Sequence, residues 1–205
     1  MKTSPRVRKI AEADFPSRWG AFRIHGFEES EPTDGRPVET LVALVMGDVH
    51  SRPPLVRIHS QCLTGDVFGS LRCDCRQQLE MSLSMIAAEG AGVLVYEQQE
   101  GRGIGLAAKL QAYELQDAGM DTVEANEKLG FKADQRGFEL PAEVLKALKI
   151  GGVRLLSNNP QKIEALERAG VKVVERVSCE VEPHARSQAY MKTKKEKLGH
   201  LIGDR

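Results

Sequence analysis

The sequence predicts an α/β protein with a mixed, partly parallel sheet flanked by helices and a first half rich in β-hairpins. Before residue 60, the apolar runs are short, rich in β-branched residues and separated by turn-forming segments, which is typical of antiparallel strands. After residue 90, strands and helices alternate, and this order favours right-handed crossovers between parallel strands. No internal repeat or linker interrupts the pattern, so residues 1–205 are interpreted as a single domain.

The first half supplies three strands and one helix. Strands are predicted over residues 19–26, 40–49 and 55–59. The acidic segment between the first two holds two prolines and a glycine, which favours an exposed connection: Pro32, Gly35 and Pro37. Residues 75–90 predict a helix that ends at a glycine. Its apolar residues recur at helical spacing, at Leu79, Leu83 and Ile86.

The second half alternates strands with helices. Residues 92–96 predict a compact strand, and a glycine-rich turn follows it. The next helix is expected to present one apolar face, formed by Leu106, Leu110 and Tyr113. Further strands are predicted over residues 153–156 and 171–177. The helix between them has capping residues at both ends: Asn159, Pro160 and Gly170. The lysine-rich segment 190–201 is expected to be a solvated helix.

Composition and charge exclude several classes of protein. The chain of 205 residues has 29 Lys and Arg against 29 Asp and Glu, and 41% of its residues are hydrophobic. A balanced charge is not typical of proteins that bind nucleic acid or membrane surfaces. No apolar run approaches the length of about 20 residues that a membrane span needs. No secretory signal is visible, so the sequence predicts a cytoplasmic globular protein.

Three cysteines lie close together in the sequence and suggest a metal site. Cys62, Cys73 and Cys75 fall within one short segment, and clustered thiols in a cytosolic chain favour zinc over disulfides. Three protein ligands are typical of a catalytic zinc, which keeps one position open for water. Two alternatives remain: the cysteines are buried and bind no metal, or His59 completes a set of four ligands. Cys179 is interpreted as a packed thiol.

The glycine-rich turn after residue 96 suggests a nucleotide site. Glycines between a strand and a helix allow the backbone to approach a phosphate, although a tight turn explains them equally well. Arg102 in the turn can hold a phosphate, and Glu100 can accept two N–H groups from a guanine edge. This combination indicates a purine nucleotide.

Two further pairs are weaker signals. Ser157 follows a strand and Lys162 lies in the first turn of the next helix, a natural position for phosphate or ribose contacts. The spacing of Asp134 and Arg136 is typical of a surface ion pair.

Taken together, these segments resemble the GTP cyclohydrolase II family. The motifs RIHSQCLTGDVFGSLRCDC, QEGRGIGL, DTVEAN, LGFKADQR and LLSNNPQK occur in that family's order and spacing over nearly the whole chain. The resemblance implies a zinc enzyme that opens the imidazole ring of GTP and releases formate and pyrophosphate. The product is 2,5-diamino-6-(5-phosphoribosylamino)pyrimidin-4-one, formed in the first step of riboflavin biosynthesis. Mg²⁺ and a homodimer are also implied.

The resemblance also assigns roles by matching position. It implies zinc ligands at Cys62, Cys73 and Cys75. It implies catalytic roles for Asp134 as proton acceptor, Arg136 as nucleophile toward the α-phosphorus and Tyr113 in ring opening. GTP contacts are implied at Arg57, Ile58, His59, Ser60, Gln61, Gln78, Glu100, Gly101, Arg102, Thr122, Ser157 and Lys162. A guanidinium has almost no free base at neutral pH, so Arg136 is expected to stabilise the phosphoryl group instead.

Two positions depart from the family pattern. Gln61 replaces a usual glutamate and Gln98 a usual arginine. We hypothesise that the two amides face each other beside the metal and replace an ion pair. The departures also leave open a weakened or product-altered relative that binds GTP for regulation. A zinc nucleobase deaminase lacks support because its sequence signature is absent. A structural zinc module would unfold on chelation.

Overall fold

A seven-stranded mixed sheet organises the protein. The computed structural model describes residues 6–30, 38–182, 184 and 187–203. The strands are β1 (Val7–Ser17), β2 (Gly20–Glu29), β3 (Thr40–Met46), β4 (Leu55–Ser60), β5 (Gly92–Glu97), β6 (Gly152–Leu156) and β7 (Lys172–Val177). They lie in the order β1-β2-β3-β5-β4-β6-β7. The first three strands and β5 pair antiparallel, whereas β5, β4, β6 and β7 pair parallel. The predicted fold class is confirmed.

Seven helices accompany the sheet within the described residues. They are α1 (Leu63–Asp66), α2 (Cys75–Glu89), α3 (Gly105–Asp117), α4 (Thr122–Lys128), α5 (Glu139–Ala147), α6 (Pro160–Arg168) and α7 (Gln188–Glu196). A 3₁₀ turn, Glu100–Gly103, joins β5 to α3. None of these helices is long and apolar enough to cross a bilayer.

The core lies on both faces of the sheet. On one face, α5 and α6 bury apolar side chains such as Leu145 and Leu166 against β4, β5 and β6. On the other face, α2 contributes Leu83 and Ile86. The inner strand β4 is buried along almost its whole length, as expected for a parallel strand covered on both faces. Pairing with β5 and β6 on its two edges holds the residues at its carboxyl end in place.

Strand β1 is an element that apolar patterning does not predict. Most of its side chains are exposed, and it pairs with β2 over ten positions. Surface ion pairs accompany this pairing: Arg23 donates to Asp14 and to Glu12 at 2.7 Å each. Strand β2 also runs further than predicted, because Phe27 is fully buried in the core. The predicted connection therefore begins later, and Pro32, Gly35 and Pro37 lie outside the described residues.

Two helices present faces that the sequence does not predict. In α3 the buried residues are Ala108, Lys109 and Ala112, whereas Leu106 and Leu110 are 37% and 49% exposed. The apolar stripe of this helix therefore does not face the core. The α7 segment is helical as predicted, but it is not solvated throughout, because Thr193 and Lys194 are buried. Lys194 is buried beside the candidate site.

Candidate active site

The candidate site lies at the carboxyl ends of β4, β5 and β6, where an α/β sheet usually binds its ligands. Two adjoining cavities open there. The metal-side cavity contains predicted residues Gln61, Cys62, Cys73, Glu100, Gly101, Tyr113 and Thr122. The basic cavity contains predicted residues Arg57, His59, Gln78, Ser157 and Lys162. Both cavities are lined by Ser60, Cys75, Arg102, Arg136 and Tyr190.

Two predicted site residues do not line either cavity. Ile58 is fully buried in the apolar core, and its carbonyl oxygen accepts a hydrogen bond from Lys162 Nζ at 2.8 Å. Asp134 borders a neighbouring surface cavity instead. Each contacts a residue that does line the basic cavity: Ile58 contacts Lys162 and Asp134 contacts Arg136.

The three predicted cysteines converge on one point. Their Sγ atoms all lie within 4.8 Å of one another, and the Cys62 and Cys73 Sγ atoms are 3.7 Å apart. Tetrahedral coordination by thiolates about 2.3 Å from zinc places sulfur atoms about 3.8 Å apart, so the cluster fits such an ion. Gly65 permits this approach, because a Cβ there would lie 2.9 Å from the Cys73 Sγ.

Lys109 connects Cys62 to Glu100. Lys109 Nζ donates to the Cys62 Sγ at 3.2 Å and to Glu100 Oε1 at 2.6 Å. Hydrogen bonds with the other two thiols lower the pKa of Cys62, and the charge of Lys109 lowers it further. Burial alone would lower the pKa of Lys109, but the Cys62 thiolate and the Glu100 carboxylate outweigh it and raise that pKa.

Glu100 is already occupied by protein donors. Its carboxylate accepts from the backbone N–H groups of Leu63 at 2.6 Å and Gly101 at 2.9 Å, besides Lys109. A carboxylate has about four acceptor positions, so one remains. Glu100 nevertheless lines the metal-side cavity, so the predicted contact with a guanine edge stays a prediction.

His59 is held by a carboxylate and not by the cysteine cluster. Its Nε2 lies 3.1 Å from Asp66 Oδ1, and Tyr96 donates its hydroxyl to Oδ2 of the same carboxylate at 2.9 Å. The clustered group of possible metal ligands within the described residues contains the three cysteines alone. The alternative in which His59 is a fourth ligand is therefore wrong for this structure. Cys179 is a packed thiol 3.3 Å from Arg57 Nη1.

Arg102 presents its guanidinium group to both cavities. Gly101 and Arg102 adopt left-handed backbone conformations, with φ of 62° and 65°, which direct the guanidinium inward. The side chain is buried, and neither Nη1 nor Nη2 has a hydrogen-bond partner among the described residues. A buried charge without a partner is costly, so this position is suited to an anionic ligand.

Arg136 is fixed by the carboxylate two residues before it. Its Nε donates to Asp134 Oδ1 at 2.9 Å and its Nη2 to Oδ2 at 2.5 Å, while Nη1 donates to Ser60 at 3.2 Å. Burial alone would raise the pKa of Asp134, but Arg136 outweighs it and holds that pKa below its usual value. Burial likewise opposes the raised pKa of Arg136, which Asp134 maintains. The pair is buried and not on the surface as its spacing suggests.

The basic cavity is strongly cationic. Burial and the nearby Arg57 guanidinium lower the pKa of Lys162 well below its usual value. Ser157 Oγ accepts from the backbone N–H of Asn159 at 3.1 Å and shapes the turn before Lys162. Among the described residues, no carboxylate lines this cavity. The arrangement is suited to a polyanion.

The hypothesis that Gln61 and Gln98 face each other is wrong. Gln61 lines the metal-side cavity, whereas Gln98 is exposed and borders a separate surface cavity with Glu39 and Gln135. Of the two departures from the family pattern, one therefore lies at the site.

Several residues at the site escape sequence reasoning. Lys109, Lys194 and His200 look like solvated polar residues of helices or their ends, and Tyr190 lies in the lysine-rich segment. Glu97 is fully buried and hydrogen-bonds with Ser60 Oγ at 2.5 Å. Glu97 is the last residue of an apolar strand, and this position indicates a site residue because α/β proteins bind ligands at the carboxyl ends of their strands.

The family model of GTP cyclohydrolase II matches residues 8–178, most of the chain. The chain belongs to the GTP cyclohydrolase II family. A GTP cyclohydrolase-2 of Buchnera aphidicola is 52% identical over 97% of this chain and 100% of its own length. An Escherichia coli GTP cyclohydrolase-2 is 50% identical over 96% of this chain and 98% of its own.

One further sequence relative is a longer protein, and one solved structure gives a weak match. The riboflavin biosynthesis protein RibBA of Chlorobium phaeovibrioides is 50% identical over 98% of this chain, which spans 48% of that protein. A crystal structure of RibBX, a two-domain 3,4-dihydroxy-2-butanone 4-phosphate synthase from A. baumannii, matches 87% of this chain and 41% of its own. That match has 19% identity and a TM-score of 0.47.

Proposed function

We propose that this chain is a zinc-dependent GTP cyclohydrolase II. It opens the imidazole ring of GTP by hydrolysis, releases formate and pyrophosphate, and forms 2,5-diamino-6-(5-phosphoribosylamino)pyrimidin-4-one for riboflavin biosynthesis. The Arg102 guanidinium, which has no hydrogen-bond partner among the described residues, carries this proposal, because it is buried where a thiol cluster meets a cationic cavity. A nucleoside triphosphate has a polyanion that suits the basic cavity and a ring that suits the metal-side cavity.

The residues suggest one orientation for GTP. The base lies in the metal-side cavity near Cys62, Cys73 and Cys75, and the triphosphate lies in the basic cavity. A zinc ion held by three thiolates supplies a Lewis acid and lowers the pKa of water toward about 7. Tyr113 faces the same space, where its hydroxyl hydrogen-bonds with Thr64 Oγ1 at 3.0 Å. We assign Tyr113 to the positioning of the ring during opening.

The phosphates meet cations. Arg57, Arg102 and Arg136 line the basic cavity and can neutralise the charge of a leaving pyrophosphate. Lys162 also lines it, and a bound phosphate would favour its protonated form against the burial that lowers its pKa. Mg²⁺ fits here as a companion of the substrate, since the described cavity lining has no carboxylate to hold it alone. We place the other predicted GTP contacts, His59, Ser60, Gln61, Gln78, Gly101, Thr122 and Ser157, in the lining of the two cavities.

Arg136 acts as an electrostatic stabiliser and not as a nucleophile. Its raised pKa, together with two hydrogen bonds to Asp134, leaves no free base to attack phosphorus. Asp134 orients the guanidinium and does not line the cavities. Trapping a covalent nucleotidyl-enzyme in a single turnover would contradict this assignment, whereas its absence during full turnover supports it.

The direct test mixes the purified protein with GTP, Mg²⁺ and Zn²⁺ and measures formate together with the absorbance of the pyrimidine product. Wild-type protein is expected to produce both. Cys73→Ser is expected to abolish formate, and the exposed control Lys146→Met is expected to leave it unchanged. GTP binding without formate would favour the alternative of a GTP-binding regulator. The homodimer that the resemblance implies is tested on the same sample by light scattering.

A further inference from the structure

Helix α7 and the residues after it cover the candidate site. Tyr190 lines both cavities, and Lys194 and His200 line the basic cavity. The segment is fastened beyond the helix, because the backbone N–H of Leu201 donates to the Asn158 carbonyl oxygen at 2.9 Å. Asn158 belongs to the turn between β6 and α6, so the segment reaches the carboxyl end of the sheet.

A buried ion pair fastens the helix on its inner face. Lys194 Nζ lies 2.5 Å from Asp74 Oδ1, and their side chains are 8% and 0% exposed. Lys192 and Lys195, on the same helix, are exposed. A lysine selected only for solubility would not be buried, so Lys194 has a specific partner.

Asp74 connects this pair to the floor of the site. It lies between two predicted metal ligands, at the N-cap position of α2. Its Oδ2 accepts from Gln78 Nε2 at 2.5 Å, and Gln78 Oε1 accepts from Arg57 Nη2 at 2.6 Å. A continuous chain of hydrogen bonds therefore runs from α7 to Arg57 on the inner strand β4.

The ring of Tyr190 lies at the junction of the two cavities. Its centroid is 5.5 Å from the Arg102 guanidinium carbon and 4.8 Å from Lys194 Nζ. A ligand that occupies both cavities at once must pass beside this ring. Its phosphates would then lie between the cations of the sheet and the cation of α7.

We propose that α7 is a lid over the nucleotide site, in which Tyr190 contacts the bound nucleoside triphosphate and Lys194 is a positioning residue that acts through Asp74. This inference rests on the proposed function of the same site. The lid completes the cationic enclosure of the phosphates and separates them from bulk solvent, while water remains the nucleophile that cleaves the phosphoanhydride bond. Because Asp74 adjoins the cysteine loop, docking of α7 and ordering of the floor occur together.

The test compares steady-state kinetics with the accessibility of α7 to protease. Lys194→Met and Tyr190→Ala are expected to raise the KM for GTP by about tenfold or more and to change kcat much less. Lys194→Arg keeps the charge and should recover most of the loss. Lys192→Met is the matched control, because it removes an exposed lysine from the same helix, and it should match the wild type.

Trypsin provides a readout that does not depend on turnover. Inorganic triphosphate has no ring to open, and it is expected to slow cleavage at the lysines of α7 in wild-type protein but not in Lys194→Met. Tyr190→Ala leaves the ion pair intact, so it tests the lid even where Lys194→Met is too unstable to purify.

The lid is wrong if wild-type protein turns over GTP while the KM of folded Tyr190→Ala is unchanged and triphosphate gives no protection. Protection of α7 by triphosphate in a protein that produces no formate would instead support the lid and overturn the proposed reaction.

Discussion

Lys109 provides a quantitative test of the contacts around the cysteine cluster. Its side chain is 11% exposed, and that of Glu100 is 8% exposed. Replacing Lys109 with methionine keeps the apolar stem but leaves Glu100 buried with two backbone donors and no counter-charge. Breaking a buried ion pair in this way costs about 3–5 kcal/mol of unfolding free energy.

Urea denaturation of reduced, metal-free protein measures this loss without the metal. Lys109→Met is expected to lower the unfolding free energy by about 3–5 kcal/mol. The double variant Lys109→Met/Glu100→Gln should lose less than the sum of its single variants, because it strands no charge. Lys146→Met is the control, since its pair with Glu143 is 2.8 Å long but its ammonium end is largely exposed. That change should cost less than about 1 kcal/mol.

Zinc affinity gives a second measurement on the same variants. Loss of the hydrogen bond from Lys109 to the Cys62 Sγ should weaken zinc binding by about 10- to 100-fold, as measured by competition with a chromophoric chelator. Equal urea midpoints for Lys109→Met and Lys146→Met, together with wild-type zinc affinity, would refute the assignment of Lys109 to this buried network.

Three further predictions follow from the site. Arg102→Met should weaken GTP binding about 10- to 150-fold by calorimetry. It should lower the stability of the ligand-free protein by less than about 1 kcal/mol, because the guanidinium has no hydrogen-bond partner among the described residues and contacts only the Tyr190 ring. A large loss of stability would contradict this. Burial and the nearby Lys194 lower the pKa of His200 to about 3 in the folded protein. As the pH drops below about 6.5, the imidazole therefore takes up a proton in the unfolded chain but not in the folded one, and the free energy of unfolding decreases. Urea titrations should show a flatter decline for His200→Asn, and parallel curves would refute the burial. Gly65→Ala places a methyl group against the Cys73 Sγ and should reduce zinc affinity, whereas unchanged affinity would show that the loop yields freely.

The sequence predicts the candidate site best where several of its residues lie in one short segment. The cysteines and the glycine-rich turn are local patterns whose chemistry depends on spacing, so their convergence is foreseeable. Arg136 and Asp134 are two residues apart, which predicts their pairing but not their burial. Burial depends on α7 and on the carboxyl edge of the sheet, which only the tertiary structure brings together.

Long-range partners explain what the sequence misses. Lys109 donates to Glu100, which is 9 positions away, and Lys194 donates to Asp74, which is 120 positions away. A lysine in a helix is normally solvated, so neither sequence position indicates burial. Leu106 and Leu110 show the opposite error: their apolar side chains predict burial, but both are exposed. The inner face of α3 is occupied by small residues and a lysine instead. Strand β1 is held by pairing and surface charge, which apolar periodicity cannot detect.

The left-handed turn at Arg102 places folding and ligand binding in opposition. An arginine in this conformation carries a backbone strain of order 1 kcal/mol that glycine would relieve. Arg102→Gly would therefore stabilise the turn, but it would also remove the buried cation that is suited to an anionic ligand. Selection for stability alone would drive this position toward glycine, so retention of arginine here in active relatives would record selection for the ligand.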